Sequence, residues 1–177
     1  LTLTGPPGIG KTRLAIEVAA DLLEDFADGV FFVGLAPVRE PDLVIPAIAS
    51  ALGLREAGGQ SLRDALHRYL CGKRTLLLLD NFEQVLDAGT AVVALLEACP
   101  WLKVLVTSRE ALHVRGERPF AVPPLWLPDV TGPPDLLALA QNPAVALFVD
   151  RALAANHGFT LTHENAQVVA AICVALE

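Results

Sequence analysis

Gly5-Pro6-Pro7-Gly8-Ile9-Gly10-Lys11-Thr12 is the stretch whose reading decides the fold. It is a complete G-x-x-x-x-G-K-[ST] phosphate-binding loop, preceded by the short apolar-and-threonine run Leu1-Thr2-Leu3-Thr4 and followed by a helical pattern. Glycine is needed where the backbone turns sharply and comes within contact distance of a polyphosphate. The helix that follows offers unpaired N–H groups at its positive end. Pro6 and Pro7 have no N–H, which leaves the amides of Gly8, Ile9, Gly10, Lys11 and Thr12 as the anion-facing donors. Lys11 adds a point charge for the β/γ-phosphates, and the Thr12 hydroxyl is a Mg²⁺ ligand. Leu14, Val18, Leu22 and Phe26 recur at i, i+4 spacing, with Glu17, Asp21, Glu24 and Asp25 on other faces, as an amphipathic crossover helix requires.

Downstream, Thr75-Leu76-Leu77-Leu78-Leu79-Asp80 is a run of four leucines ending in an acid. That is the pattern of a central parallel strand, buried on both faces, whose C-terminal tip meets the ligand, and it matches the Walker B motif. Asp80 there would hold hydrated Mg²⁺ near Thr12; as a plain strand-end acid it would instead cap the next helix. Lys103-Val104-Leu105-Val106-Thr107 reads as another buried strand, followed by Ser108 and Arg109. A cation just past a parallel strand points into the ligand crevice, so Arg109 is a candidate γ-phosphate contact, the alternative being an exposed ion pair with Glu110 or Glu117.

The remaining elements follow from local signals. Val30–Leu35 is read as a second strand buried on both faces, Leu43–Leu52 as a helix capped by Asp42 and distorted by Pro46, and 55–60 as a loop. Ser61-x-x-Asp64 resembles a capping box opening a helix that Gly72 ends. Ala91–Ala98 is helical and Phe120–Val122 a fifth short strand, after which Pro123 to Pro134 holds five prolines. Asn142-Pro143 caps and starts a helix that Gly158 ends, and Thr162 caps a last one with Ala166, Val169, Cys173 and Leu176 as its apolar stripe, still running at Glu177. The expected organisation is an α/β phosphate-loop domain over 1–125, a proline-rich linker over 126–141, and the beginning of a helical subdomain over 142–177.

The 177 residues carry a net charge of −7 and are 53% hydrophobic and 19% charged, which fits a globular domain and opposes a grip on a nucleic-acid backbone. Any DNA contact is expected from a separate part of a longer protein, since the chain holds no methionine and opens four residues before the loop. No run approaches the length of a membrane span, and no leader is evident, so a cytoplasmic location is expected. Cys71, Cys99 and Cys173 match no metal-ligand spacing and are read as buried reduced thiols. His67, His113, His157 and His163 form no ligand spacing on any one element.

Gly5 to Ala15, then Leu77-Leu78-Leu79-Asp80-Asn81-Phe82-Glu83-Gln84-Val85, then Val106-Thr107-Ser108-Arg109-Glu110, together resemble the STAND class of P-loop ATPases (NB-ARC/NACHT-like). The likeness is to the ATPase modules of large bacterial transcriptional regulators, including those with LuxR-type DNA-binding ends. Val122-Pro123-Pro124-Leu125 and Ala144–Phe148 extend it along the chain. The resemblance implies a three-layer P-loop NTPase domain with a five-stranded, mostly parallel sheet and the start of a helical lid. It also implies that the Thr107 strand lies between the loop strand and the Walker B strand, which sets Arg109 beside the γ-phosphate. ATP or ADP with Mg²⁺ would be bound by Gly5, Pro6, Pro7, Gly8, Ile9, Gly10, Lys11, Thr12 and Arg13, with Thr12 and Asp80 on the metal. Such proteins are nucleotide switches that hydrolyse slowly and self-associate in the ATP state. Where many members carry a second acid after the Walker B Asp, this chain has Asn81, and Glu83 is the nearest carboxylate able to serve as general base. The contrasting reading is a fast enzyme, an AAA+-like motor or a P-loop kinase.

Overall fold

The computed structural model describes residues 1–55, 61–132 and 135–176. It divides into two compact units, Leu1–Val122 and Pro123–Glu177. The loop expected at 55–60 lies, apart from Arg55, outside the described residues.

In the first unit, β1 (Thr2–Thr4), β2 (Val30–Gly34), β3 (Leu76–Asp80), β4 (Lys103–Thr107) and β5 (Pro119–Ala121) form one sheet in the order β2-β3-β4-β1-β5, parallel throughout. The leucine run explains its centre. Side chains alternate across a strand, so Leu77 and Leu79 enter one core cluster and Leu76 and Leu78 the other, and every residue of β3 is buried. The face bearing Leu76 and Leu78 is covered by α1 (Lys11–Asp21) through Ala15 and Ala19. The opposite face is covered by α2 (Val44–Ala51), α3 (Leu62–Leu70) and α4 (Gly89–Ala98). This is the expected three-layer α/β fold.

Several expectations are corrected. Strand β2 is an edge strand and not buried on both faces: Phe32 is 50% exposed because only β3 pairs with it. In α1, Ala15 and Ala19 make the closest packing, while Leu14 stands exposed; small side chains let the helix lie close against the sheet. Asp42 caps nothing in α2, because Pro41–Leu43 forms a 3-10 turn that runs directly into it. Ser61 does cap α3, accepting the Asp64 amide at 3.2 Å and donating its hydroxyl to the Asp64 carboxylate at 2.7 Å.

Among its described residues the second unit has three helices around its own core of Leu139, Val145, Ala166, Val169, Ala170 and Cys173. The first, α5 (Leu136–Gln141), occupies the end of the stretch read as linker, and Asp135 caps it by accepting the Leu137 amide at 2.9 Å. Asn142 caps α6 (Pro143–Ala155) through the amides of Ala144 and Val145, and this helix ends before Gly158. In α7 (Ala166–Ala175) the N-cap is Asn165, not Thr162. Thr162 instead donates its amide to the Asn165 side chain, and Leu176, past the helix end, is 76% exposed.

Candidate functional site

The phosphate loop connects β1 to α1 at the C-terminal edge of the sheet. Gly8 and Gly10 have φ of +84° and +100°, left-handed values that disfavour any side chain. Beyond their own chain neighbours and the helix's own backbone, no atom of the described residues lies within 4 Å of where a Cβ on either would stand, so both positions face open space. Gly10 is also the N-cap of α1, and the amides of Lys11, Thr12 and Arg13 fall in the first turn, where a helix has no internal acceptors for them. Lys11 folds back over the loop, its Nζ donating to the carbonyls of Gly5 at 2.7 Å and Pro6 at 2.9 Å. The ammonium is thus held within the loop's curve by two backbone carbonyls and, among the described residues, by no anion. Pro6, Pro7 and Arg13 are exposed around it, and Ile9 is half-buried, its amide 3.5 Å from the Pro6 carbonyl.

Asp80 ends β3 with its side chain buried. Its Oδ1 accepts hydrogen bonds from Thr12 Oγ1 at 2.7 Å and from Thr107 Oγ1 at 2.6 Å. The strand order makes this convergence: β4 lies between β1 and β3, so the ends of three strands deliver the loop, the acid and Thr107 to one place. Thr107 is the residue that sequence reasoning passed over. The order found is the one the resemblance implied, with the Thr107 strand between the loop strand and the Walker B strand; a threonine closing that apolar strand was the available signal, and its bond to Asp80 needed the register of β3 and β4. Thr107 Oγ1 also accepts the amide of Asn81, which sits at φ +61° as the chain leaves β3.

Arg109 follows β4 on the same edge. Its Nε donates to Glu83 Oε1 at 3.1 Å, so its ion-pair partner is Glu83 and neither Glu110 nor Glu117, the two alternatives the sequence offered. Glu117 is engaged by the amides of Leu112 and His113, at 2.9 and 2.8 Å. The pair is asymmetric: the Arg109 side chain is 61% exposed and that of Glu83 11%. Glu83 Oε2 is buried without a hydrogen-bond partner among the described residues. Away from this edge, His67, Cys71 and Cys99 meet although no linear spacing suggested it, and Cys71 is half-buried where a buried thiol was expected.

Comparison with known proteins places the fold in context. A family model described as an AAA domain matches residues 1–114. "Putative HTH-type transcriptional regulator Rv0890c" of Mycobacterium tuberculosis is 42% identical over 178 residues, covering 100% of this chain and 18% of that protein. "Regulatory protein AfsR" of Streptomyces coelicolor is 39% identical over 115 residues, covering 60% of this chain and 11% of that protein. The chain therefore spans less than a fifth of the length of either relative. Among solved structures, the Aeropyrum pernix ORC2 protein in ADPNP and ADP complexes aligns over 96% of this chain and 60% of its own, with a TM-score of 0.60 at 14% identity. Cdc6p from Pyrobaculum aerophilum aligns over 97% and 47%, with a TM-score of 0.57 at 18% identity. These two likenesses are of fold.

Proposed function

The chain belongs to the AAA domain family of P-loop ATPases, and we propose that it is the ATP/ADP switch of a larger transcriptional regulator, placed within the STAND class. The observation that carries this reading is the hydrogen bond from Thr12 Oγ1 to Asp80 Oδ1 at 2.7 Å. It puts a hydroxyl and a carboxylate, the hard oxygen donors that Mg²⁺ selects, beside a loop of open glycines and a cation. The donor set therefore fits a Mg²⁺-nucleotide, which would supply charge neutralisation at the β- and γ-phosphate oxygens.

Each side chain then has a task. Lys11, now on two backbone carbonyls, would exchange them for phosphate oxygens, and the amides from Gly8 to Thr12 would cradle the anion. Thr12 and Asp80 would hold the metal, and Thr107 fixes the Asp80 carboxylate through its 2.6 Å bond. Arg109, being the exposed member of its pair, would read the γ-phosphate by leaving Glu83. Hydrolysis is slow on this reading because Asn81 offers no carboxylate next to Asp80; Glu83, the nearest candidate base, is paired with Arg109 before nucleotide arrives and would be freed only when Arg109 turns to the γ-phosphate.

The relatives' names as regulators support an output on DNA through a separate domain, consistent with a segment of net charge −7. Self-association in the ATP state and a cytoplasmic location belong to the same reading. Among the described residues, no helix is long and apolar enough to cross a membrane. The test is calorimetry and turnover on the full-length protein. Lys11→Ala should abolish ATP binding, and the parent should hold nucleotide for many minutes. Turnover at ~1–100 s⁻¹, the range of kinases, would overturn the switch in favour of a fast enzyme.

A further inference from the structure

Parallel pairing determines what happens at the other edge of the sheet. Leu76 is the register partner of Lys103, so β3 and β4 begin side by side. The helices that feed them, α3 and α4, must therefore end side by side as well. Cys71 is the residue that closes α3 and Cys99 the residue that closes α4. Their Sγ atoms stand 3.3 Å apart, across a separation of 28 residues. His67 lies one turn before Cys71 on the same helix face, and its Nε2 is 3.3 Å from Cys71 Sγ. Among the described residues this is the one group of three His, Cys, Asp or Glu whose ligand atoms all lie within 4.8 Å of one another.

We propose that His67, Cys71 and Cys99 form a binding site for a thiophilic divalent cation of the zinc type, tying the end of α3 to the end of α4. Two sulfurs and an imidazole are the donor set that borderline-soft cations prefer, and hard cations such as Mg²⁺ do not. The spacing is near what such an ion imposes. With Zn–S of about 2.3 Å and Zn–N of about 2.0–2.1 Å, tetrahedral angles put two thiolates about 3.8 Å apart and thiolate and imidazole about 3.6 Å apart. Cys71 Sγ would have to move apart from Cys99 Sγ and from His67 Nε2 by only about 0.3–0.5 Å, while Cys99 Sγ and His67 Nε2 already lie within 4.8 Å of each other. Cys99 is fully buried, Cys71 half-buried and His67 exposed, so the ion sits at the rim with its fourth position toward water. On binding, each thiol releases one proton to solvent, and the Cys71 thiol gives up its 3.2 Å hydrogen bond to the Ala98 carbonyl. The phosphate loop and Asp80 lie at the C-terminal ends of the strands, and this cluster at their N-terminal ends. The ion therefore braces the domain and takes no part in the chemistry at the nucleotide site.

The test uses the full-length protein, reduced and stripped of metal, with Zn²⁺ titrated against a chromophoric chelator and Co²⁺ as the spectroscopic probe. The parent should take up one more tightly bound Zn²⁺ than Cys71→Ser/Cys99→Ser, and the thiolate-to-cobalt charge-transfer band should fall in every cysteine variant. Cys71→Ser should weaken the site by at least about a hundredfold and His67→Gln by about tenfold. His67 is exposed, so its variant tests the site even if replacing buried Cys99 disturbs folding. Equal Zn²⁺ stoichiometry and affinity in the parent, Cys71→Ser and His67→Gln would overturn the proposal. So would a reduced parent that binds no extra Zn²⁺ while oxidised glutathione closes a Cys71–Cys99 disulfide, since the two thiols would then be a redox pair.

Discussion

Arg109 Nε and Glu83 Oε1 stand 3.1 Å apart, joining the segment after β4 to the turn after β3 at the edge where the phosphate loop also lies. The pair links the residue proposed to sense the γ-phosphate to the carboxylate proposed as base. Engagement of one releases the other.

Arg109→Ala should therefore lower affinity for ATP while leaving affinity for ADP nearly unchanged. A hydrogen bond to a charged group contributes about 1.5–3 kcal/mol, which is about ten- to a hundredfold in the ATP/ADP ratio. Because a ligand shifts a two-state equilibrium only by its differential affinity, the variant should also fail to assemble at ATP concentrations that suffice for the parent. Dissociation constants for both nucleotides and sedimentation of the full-length protein measure this. An unchanged ratio would make Arg109 a partner of Glu83 and nothing more.

Asp80→Asn keeps an oxygen to accept the Thr12 and Thr107 hydroxyls but removes the charge. If the carboxylate acts through the metal, the gain in nucleotide affinity on adding Mg²⁺ should fall by about ten- to a hundredfold, while binding in EDTA stays close to the parent's. Equal losses in both conditions would assign Asp80 a structural role only.

Glu117 gives a pH dependence of known sign. Burial by itself raises its carboxyl, but hydrogen bonds from the amides of Leu112, His113 and Val114 and from the Thr2 side chain outweigh this and hold it below its ordinary value of 4.5. A folded-state value below the unfolded one stabilises the fold fully above the unfolded value and is lost as pH falls through the folded one. Hydrogen exchange at the Leu112 and His113 amides, corrected for intrinsic rates, should thus show protection that declines on the acid side of pH 4.5. In Glu117→Gln the protection should be lower at neutral pH and lack that acid-side decline. An identical profile in parent and variant would show that the carboxylate does not hold this loop.

What the sequence determined by itself was whatever depends on neighbours along the chain. Gly8 and Gly10 can be placed because the loop's turn demands left-handed backbone, and Ser61 and Asn142 because a cap bonds amides two or three residues away. The leucines of β3 announced a central strand because only a strand covered on both faces can bury four in a row. Tertiary structure decided what depends on which strands abut. Val30–Gly34 is apolar enough for an interior position, and its place at the edge is set by the order of the sheet. Asp80 and Thr107 are 27 residues apart, Glu83 and Arg109 26, and Cys71 and Cys99 28. All three pairs arise from one cause: β3 and β4 lie side by side, in parallel and in register. That pairing brings the strand ends together at one edge and the helix ends together at the other. The choice of β4 as the neighbour of β3 was expected only from the resemblance carried by three motifs together; physically it is made by packing of the whole sheet between its helices, and no local run of residues encodes it.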